Sequence, residues 1–242
     1  MSKSKLICTD LDGTFIGDDD SMYELLQLID GKNILLVFDT GRHLPSVMGF
    51  VQEKGIRTPD ASICMVGTEI FVRGDDGELV LDSEWSDIIS DSWQRNKIVE
   101  LLGNVQGLTI QDEEWQTKFK ASYFLRENVD DVLREVDQRM QKTGLKATAI
   151  HSAGAFLDFL PIKSGKAKAT DYLAKKFGVP KEHVVACGDS GNDLDLFEAG
   201  FKGIIVGNAH SELSNFRGPG AYHATGEYSA GIIEGLRHFD FL

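Results

Sequence analysis

Apolar positions along the chain follow two rhythms, and the rhythm changes twice. Up to about residue 82, short β-rich runs alternate with amphipathic stretches of helical period, the pattern of βαβ units on a parallel sheet. Residues 6–9 have strand character. Met22, Leu25, Leu26 and Ile29 fall at helical intervals behind Ser21 and Glu24, which have capping-box spacing. Residues 34–38 read as a buried strand. Residues 44–55 read as a helix with Pro45 in its first turn and Gly55 past its end, and 61–66 as a third strand. A hairpin turning at Asp76-Gly77 joins residues 69–73 to 78–81.

Between about residues 83 and 159 the pattern predicts a long helix (84–102), an alternating, half-solvated strand near 118–125 and a second helix over 128–144. That helix sets Val129, Val132, Leu133, Val136 and Met140 on one face and stops at Gly144. Two more strands, 145–151 and 155–160, complete an α+β set over a small antiparallel sheet. Beyond Pro161 the first rhythm resumes: a helix over 164–177 closed by Gly178, a strand at 183–187, a helix opening at Gly191, a strand at 203–207 and a last helix near 229–237. The expected architecture is α/β: a Rossmann-like parallel-sheet core from residues 1–82 and 160–242, carrying an inserted α+β domain, 83–159.

Charge narrows the function classes. The chain has 242 residues with 25 Lys+Arg against 38 Asp+Glu, a formal net charge of −13. That balance argues against nucleic acid or an anionic membrane as a partner, since both need clustered positive charge. No apolar run approaches the length of a membrane span, and two aspartates directly after the first short run exclude a secretory signal core. Cys8, Cys64 and Cys187 each lie in or beside apolar runs. They read as buried free thiols of a reducing compartment, so a cytoplasmic location is expected.

Four short motifs carry chemistry. Asp10-Leu11-Asp12-Gly13-Thr14 follows a hydrophobic strand directly, so both carboxylates emerge where open α/β sheets bind ligands. Two such carboxylates repel unless a cation sits between them or one is protonated; a nucleophile beside a proton donor is one use of that arrangement, and a plain Asp-Gly turn is the bland alternative. Gly188-Asp189-Ser190-Gly191-Asn192-Asp193 repeats the theme after a second apolar strand, with Asp189 and Asp193 spaced to approach an oxygen-loving cation such as Mg²⁺; a simple N-cap explains only one of its residues. Phe38-Asp39-Thr40-Gly41-Arg42, at the end of the buried strand that begins at residue 34, has the make-up of a phosphate cradle in its hydroxyl and free backbone N–H groups, although Thr-Gly turns abound. Lys166 opens a helix in a lysine-rich stretch whose ordinary reading is a solvated face.

Taken together, these motifs resemble in order and spacing the haloacid dehalogenase superfamily of phosphohydrolases. The 29 residues between Asp10 and Thr40 are too few for a cap domain, and the 125 between Thr40 and Lys166 can hold one. Within that superfamily the chain is similar to the sucrose-phosphate phosphatases of cyanobacteria and plants, through MVGTEIF (65–71), WQTKFKASYFL (115–125), HSAGAFLDFLP (151–161) and IVGNAHSEL (205–213). Ala167 departs from the glycine usual after the lysine.

The resemblance implies a hydrolase acting on a sugar phosphate, sucrose 6-phosphate foremost, through an aspartyl-phosphate. Another disaccharide phosphate such as mannosylfructose phosphate, or broad hexose-phosphate activity, stands as the alternative. A phosphosugar mutase and a non-catalytic phosphosugar sensor stand further off. It implies Asp10 as nucleophile, Asp12 as acid and base, and Mg²⁺ held by Asp10, Asp12 through its backbone carbonyl, and Asp189, with Asp193 reaching a bound water or Lys166. Thr40, Gly41, Lys166 and Asn192 are expected on the phosphoryl oxygens, with Arg42 also at the substrate. Gly67, Thr68 and Glu69 of the core, and His151, Ser152 and Asp158 of the cap, are the candidate sugar contacts. Trp85, Trp93 and Trp115 fit core packing better than stacking on a sugar. A monomer is compatible with all of this.

Overall fold

The computed structural model describes residues 5–152 and 154–242. Their contacts divide the chain into two compact units, one running up to Asp82 and resuming at Lys166, the other Ser83–Gly165. No helix among the described residues is long and apolar enough to cross a membrane.

The first unit opens with β1 (Lys5–Thr9), α1 (Asp19–Ile29), β2 (Ile34–Asp39), α2 (Leu44–Lys54), β3 (Ala61–Cys64), β4 (Glu69–Arg73) and β5 (Leu79–Leu81). The inserted unit contains α3 (Ser83–Ser90), α4 (Arg95–Leu102), β6 (Thr109–Ile110), β7 (Ala121–Phe124), α5 (Val129–Thr143), β8 (Thr148–Ser152) and β9 (Phe156–Leu160). The first unit then closes with α6 (Lys166–Lys176), β10 (Val184–Gly188), α7 (Leu194–Glu198), β11 (Lys202–Ile205), α8 (Ser211–Ser214), β12 (Ala221–His223) and α9 (Tyr228–His238).

Eight strands form one sheet in the order β12-β11-β10-β1-β2-β3-β4-β5, parallel from β12 to β3 and antiparallel through β4 and β5. β1 lies in the middle, with Thr9 level with Phe38 of β2 and Cys187 of β10, so three strand ends finish side by side. Being buried on both faces, β1 and β10 are continuous apolar runs rather than alternating ones. Leu25, Ile29, Leu36, Phe38 and Leu236 belong to the core beneath them.

Several local expectations are corrected. Asp18, not Ser21, caps α1: its Oδ2 accepts from the Ser21 N–H at 3.0 Å, and the helix starts three residues earlier than the periodicity suggests. The long helix is two helices, broken at Ser92, whose φ of 66° no helix tolerates. The third strand stops at Cys64, because Met65 and Val66 take left-handed φ values of 52° and 59°. β7 is shorter than expected, and Ala121, Ser122 and Tyr123 are all buried rather than half-solvated. Two short strands, β6 and β12, and the single turn α8 carried no readable pattern.

In the inserted unit, β6-β7-β9-β8 form an antiparallel sheet. Ala121, Tyr123, Leu157 and Phe159 pack with Ile98 and Leu102 of α4 and Val132, Val136 and Met140 of α5. Strand alternation therefore sends Ser122 and Asp158, which stand opposite each other in register, to the other face. Trp85 is buried, in keeping with a packing role.

α9 lies on β11 through a glycine: a Cβ at Gly235 would come within 2.5 Å of Ile204 Cγ1. Gly235→Ala therefore sets a helix-propensity gain of about 1 kcal/mol against overpacking of about 1–3 kcal/mol. The second term is expected to win, lowering the urea midpoint; a raised midpoint would show that the helix can lift off the sheet without loss.

Candidate active site

The site grows from the ends of β1, β10 and β2. Beyond β1 the chain makes a tight turn, with Phe15 N–H donating to Asp10 O at 3.2 Å and Ile16 N–H to Leu11 O at 2.8 Å. Gly13 has a φ of 84°, and a Cβ there would lie 2.5 Å from Asp189 Oδ2, so only glycine fits where the two acidic turns meet. Thr14 Oγ1 donates to Asp189 Oδ1 at 3.1 Å, joining residues 175 positions apart. In the second turn, Asp193 Oδ2 accepts from the Asp189 and Ser190 N–H groups, both at 3.1 Å, and folds the carboxylate back beneath the loop.

Lys166, the first residue of α6, has 0% of its surface exposed. Its Nζ donates to Asp10 Oδ1 at 2.7 Å, Asp193 Oδ1 at 2.5 Å and Asp39 O at 2.9 Å, which uses all three ammonium hydrogens. The solvated-lysine alternative is thereby overturned. Burial alone would discharge this amine, but Asp10 and Asp193 outweigh it and hold Lys166 charged well above the usual range. Burial likewise pushes Asp10 well up, against the pull of Lys166, and pushes Asp189 to about 6, with Asp193 adding to the effect.

Carboxylate oxygens of Asp10, Asp189 and Asp193 come within 4.8 Å of one another. Asp193 spends one oxygen on Lys166 and the other on backbone amides, which suits support through water better than direct ligation. Asp10 and Asp189 each keep one oxygen clear of Lys166 and Thr14, and two such hard anionic atoms fit a divalent cation.

The Thr40–Arg42 turn sits beside them. Thr40 is 1% exposed; its N–H donates to Ile63 O at 2.9 Å and its carbonyl accepts from Val66 N–H at 3.0 Å. Met65 N–H donates to Arg42 O at 3.0 Å, so the left-handed backbone at Met65 and Val66 is what lets this segment brace the cradle. Arg42 makes a two-pronged ion pair with Asp12, Nε lying 2.7 Å from Oδ2 and Nη2 meeting Oδ1. Both side chains are partly exposed, at 26% and 58%, so the pair is weak. Asn192 accepts from Ser190 Oγ at 3.3 Å, which leaves its amide hydrogens unused in that contact.

Among the sugar candidates, Thr68 turns its hydroxyl onto Met65 O at 2.9 Å and is fully buried, while Gly67 N–H donates to Cys64 O at 3.2 Å. Glu69 begins β4, level with Cys64. In the inserted unit, His151 Nε2 lies 3.0 Å from Leu125 O, tying the ring to backbone. Ser152 is buried. Asp158 is 7% exposed, accepts from Ser122 Oγ at 2.6 Å and lies 3.4 Å from Lys120 Nζ. Lys120 escaped the sequence reading although it falls in the 115–125 stretch.

Asp39 stands inside the third motif but has no role in the sequence reading. It is fully buried, with Oδ2 3.7 Å from Cys8 Sγ and 3.5 Å from Thr170 Oγ1, and Oδ1 has no partner. Burial pushes its carboxyl to about 8 despite Lys166 nearby. The available signal was a charged residue ending the apolar run of β2. All three cysteines are free and buried, as expected.

A parallel sheet whose central strand ends place an acidic turn, a second acidic turn and a buried lysine together is the architecture of the haloacid dehalogenase-like hydrolases. A Bacillus subtilis member of that group has the same fold, with a TM-score of 0.70 at 20% identity over 98% of this chain and 92% of that one. Residues 3–240 match the sucrose-6F-phosphate phosphohydrolase family, and the chain belongs to it. Sucrose-phosphatase 1 of Nicotiana tabacum is 35% identical over 97% of this chain. The chain spans only 59% of that relative's length. The mannosylfructose-phosphate phosphatase of Agrobacterium fabrum is 30% identical over 99% of this chain and 98% of its own. An X-ray structure of the sucrose-phosphatase from Synechocystis sp. PCC6803, in complex with sucrose and phosphate, has a TM-score of 0.90 at 31% identity, covering 98% of both chains.

A buried carboxyl held protonated makes stability depend on pH. The folded Asp39 keeps its proton up to about pH 8 while the unfolded chain releases it near 3.8, so unfolding gains as pH rises between those values. Asp39→Asn removes this term. Its stability relative to the parent is expected to improve by on the order of 2–4 kcal/mol between pH 5 and pH 8. Thermal denaturation of both proteins at the two pH values checks it; a constant difference would mean Asp39 is ionised in the fold.

Proposed function

We propose that the protein is a Mg²⁺-dependent phosphatase that hydrolyses sucrose 6-phosphate to sucrose and phosphate. The observation that carries this reading is Lys166 gripping Asp10 Oδ1 in a dry cluster that Asp189 joins, within a chain of the sucrose-6F-phosphate phosphohydrolase family.

Asp10 attacks phosphorus, forming an aspartyl-phosphate as the bond to the sugar oxygen breaks. Asp12 gives its proton to the departing oxygen and then takes one from the water that hydrolyses the intermediate, a role worth about 10²–10⁴-fold in rate. Mg²⁺ bound by Asp10, the Asp12 carbonyl and Asp189 would supply the positive charge that lets a carboxylate approach a phosphate dianion. Thr40, the Gly41 N–H and Asn192 hold the phosphoryl oxygens, where charge accumulates in the transition state, and Lys166, its three hydrogens already spent, adds its positive charge from behind Asp10. Because its pair with Arg42 is partly exposed and weak, Asp12 can turn to the leaving oxygen at little cost. Arg42 is then free for the substrate.

For the sugar, Glu69, Ser152 and Asp158 with Lys120 are the contacts we favour, the last two combining an acceptor and a donor for hydroxyls. The Thr68 hydroxyl and the His151 ring serve their own backbone instead. The Agrobacterium relative keeps mannosylfructose phosphate as the second reading. The buried free thiols fit a cytoplasmic enzyme, and one chain supplies every residue of the phosphate site, so a monomer suffices.

Asp10→Asn is expected to abolish turnover while the fold and phosphate binding persist; ordinary kcat in that variant would remove Asp10 as nucleophile. Asp12→Ala should lower kcat/KM on the sugar phosphate by about 10²-fold or more and kcat/KM on p-nitrophenyl phosphate, whose leaving group needs no proton, far less, while loss of the base for the shared second step lowers kcat on both. Comparing kcat/KM for sucrose 6-phosphate, mannosylfructose phosphate and hexose phosphates decides the substrate. A preference for hexose phosphates would refute the sucrose reading.

A further inference from the structure

The loop after β11, residues 206–210, contains no acid, yet it touches both acidic turns. His210 N–H donates to Asp189 O at 2.8 Å, and Asn208 Nδ2 donates to Gly13 O at 2.7 Å. The other end of the Asn208 amide, Oδ1, accepts from Tyr228 N–H at 2.8 Å, so the side chain is fixed in one orientation. Tyr228 in turn lies against the nucleophile turn: its ring occupies the space beside Gly17, where a Cβ would come within 2.2 Å. Ser229 Oγ, fully buried, donates to Phe15 O at 2.8 Å. Residues 13–17 are thus pinned at three points by segments near the end of the chain, and Asn208 makes the pin next to Asp12.

We propose that Asn208 is a positioning residue for the hydrolysis described above: by holding the Gly13 carbonyl it fixes the peptide between Asp12 and Thr14, and so aims the acid/base carboxylate and keeps Thr14 Oγ1 on Asp189. The proposal rests on the phosphatase reading. Its chemistry is that of a donor matched to one carbonyl, so the isosteric Asn208→Asp, which places an acceptor against Gly13 O while keeping the bond from Tyr228, breaks that contact alone. A turn freed by a fraction of an ångström loses alignment between acid and leaving oxygen, and a displacement of about 1 Å is enough for roughly 10²-fold in rate.

The test compares the parent, Asn208→Asp and Asn208→Ala on sucrose 6-phosphate and on p-nitrophenyl phosphate, alongside hydrogen exchange of the intact proteins. Both variants are expected to lose roughly 10- to 100-fold in kcat/KM on the sugar ester, and several-fold less on the aryl ester. The amides of Thr14, Phe15 and Ile16 should exchange at least about tenfold faster, with β1 and β2 unchanged. Equal losses of kcat/KM on both esters, retention of more than about half the parent kcat/KM on the sugar ester by Asn208→Asp, or unaltered exchange in the turn overturns the proposal. Faster exchange through β1 as well assigns Asn208 a purely structural role and overturns it too. If the parent hydrolyses neither ester, the phosphatase reading fails, and exchange in the turn alone then decides whether Asn208 braces it.

Discussion

A single ammonium group in a pocket without solvent sets the terms for the rest of the core. Lys166 Nζ has three hydrogens and three acceptors, two of them carboxylates whose own surroundings are dry. A buried charge stripped of its partner is strongly destabilising, so the ends of β1, β2 and β10 must reach Lys166 together or not at all. The cluster limits its net charge in two ways. Lys166 neutralises one carboxylate, and Asp39 avoids ionising by keeping its proton. The carboxylates within reach still outnumber Lys166, so in the hydrolysis proposed above it falls to the divalent cation to make room for an anion in a chain of net charge −13.

The two ion pairs of the site differ in kind. Lys166 with Asp10 and Asp193 is sealed and has nowhere else to go. Arg42 with Asp12 is open to water and weak. In the hydrolysis proposed above the difference suits each role: a nucleophile must be held still, whereas an acid that later serves as a base must be able to turn.

Much of this was legible in the sequence, because the strongest signals are local. An apolar run followed at once by an acid states both that a strand ends and that something polar waits there, and this placed Asp10, Asp189 and Thr40 correctly at strand ends. What stayed hidden depends on partners distant in the chain. The charge on Lys166 could not be separated from a solvated lysine run until α6 was seen to start beside β1. Asp39 looked like the last residue of a strand; its protonated state follows from having no solvent and too few donors. Lys120 needed the pairing of β7 with β9 to acquire Asp158. The break at Ser92 and the left-handed backbone at Met65 and Val66 involve residues with no propensity for such φ values, so no sequence rule points to them.

β1 is the earliest strand of the chain and lies between β2 and β10, the latter made more than 170 residues later. On the ribosome, therefore, Asp10 waits beside an open sheet edge while the whole of Ser83–Gly165, whose own contacts are internal, can emerge and collapse first. Lys166, Asp189 and Asp193 cannot gather round Asp10 until the residues past Asp193 have been made, so the cluster closes in one late step rather than by gradual growth.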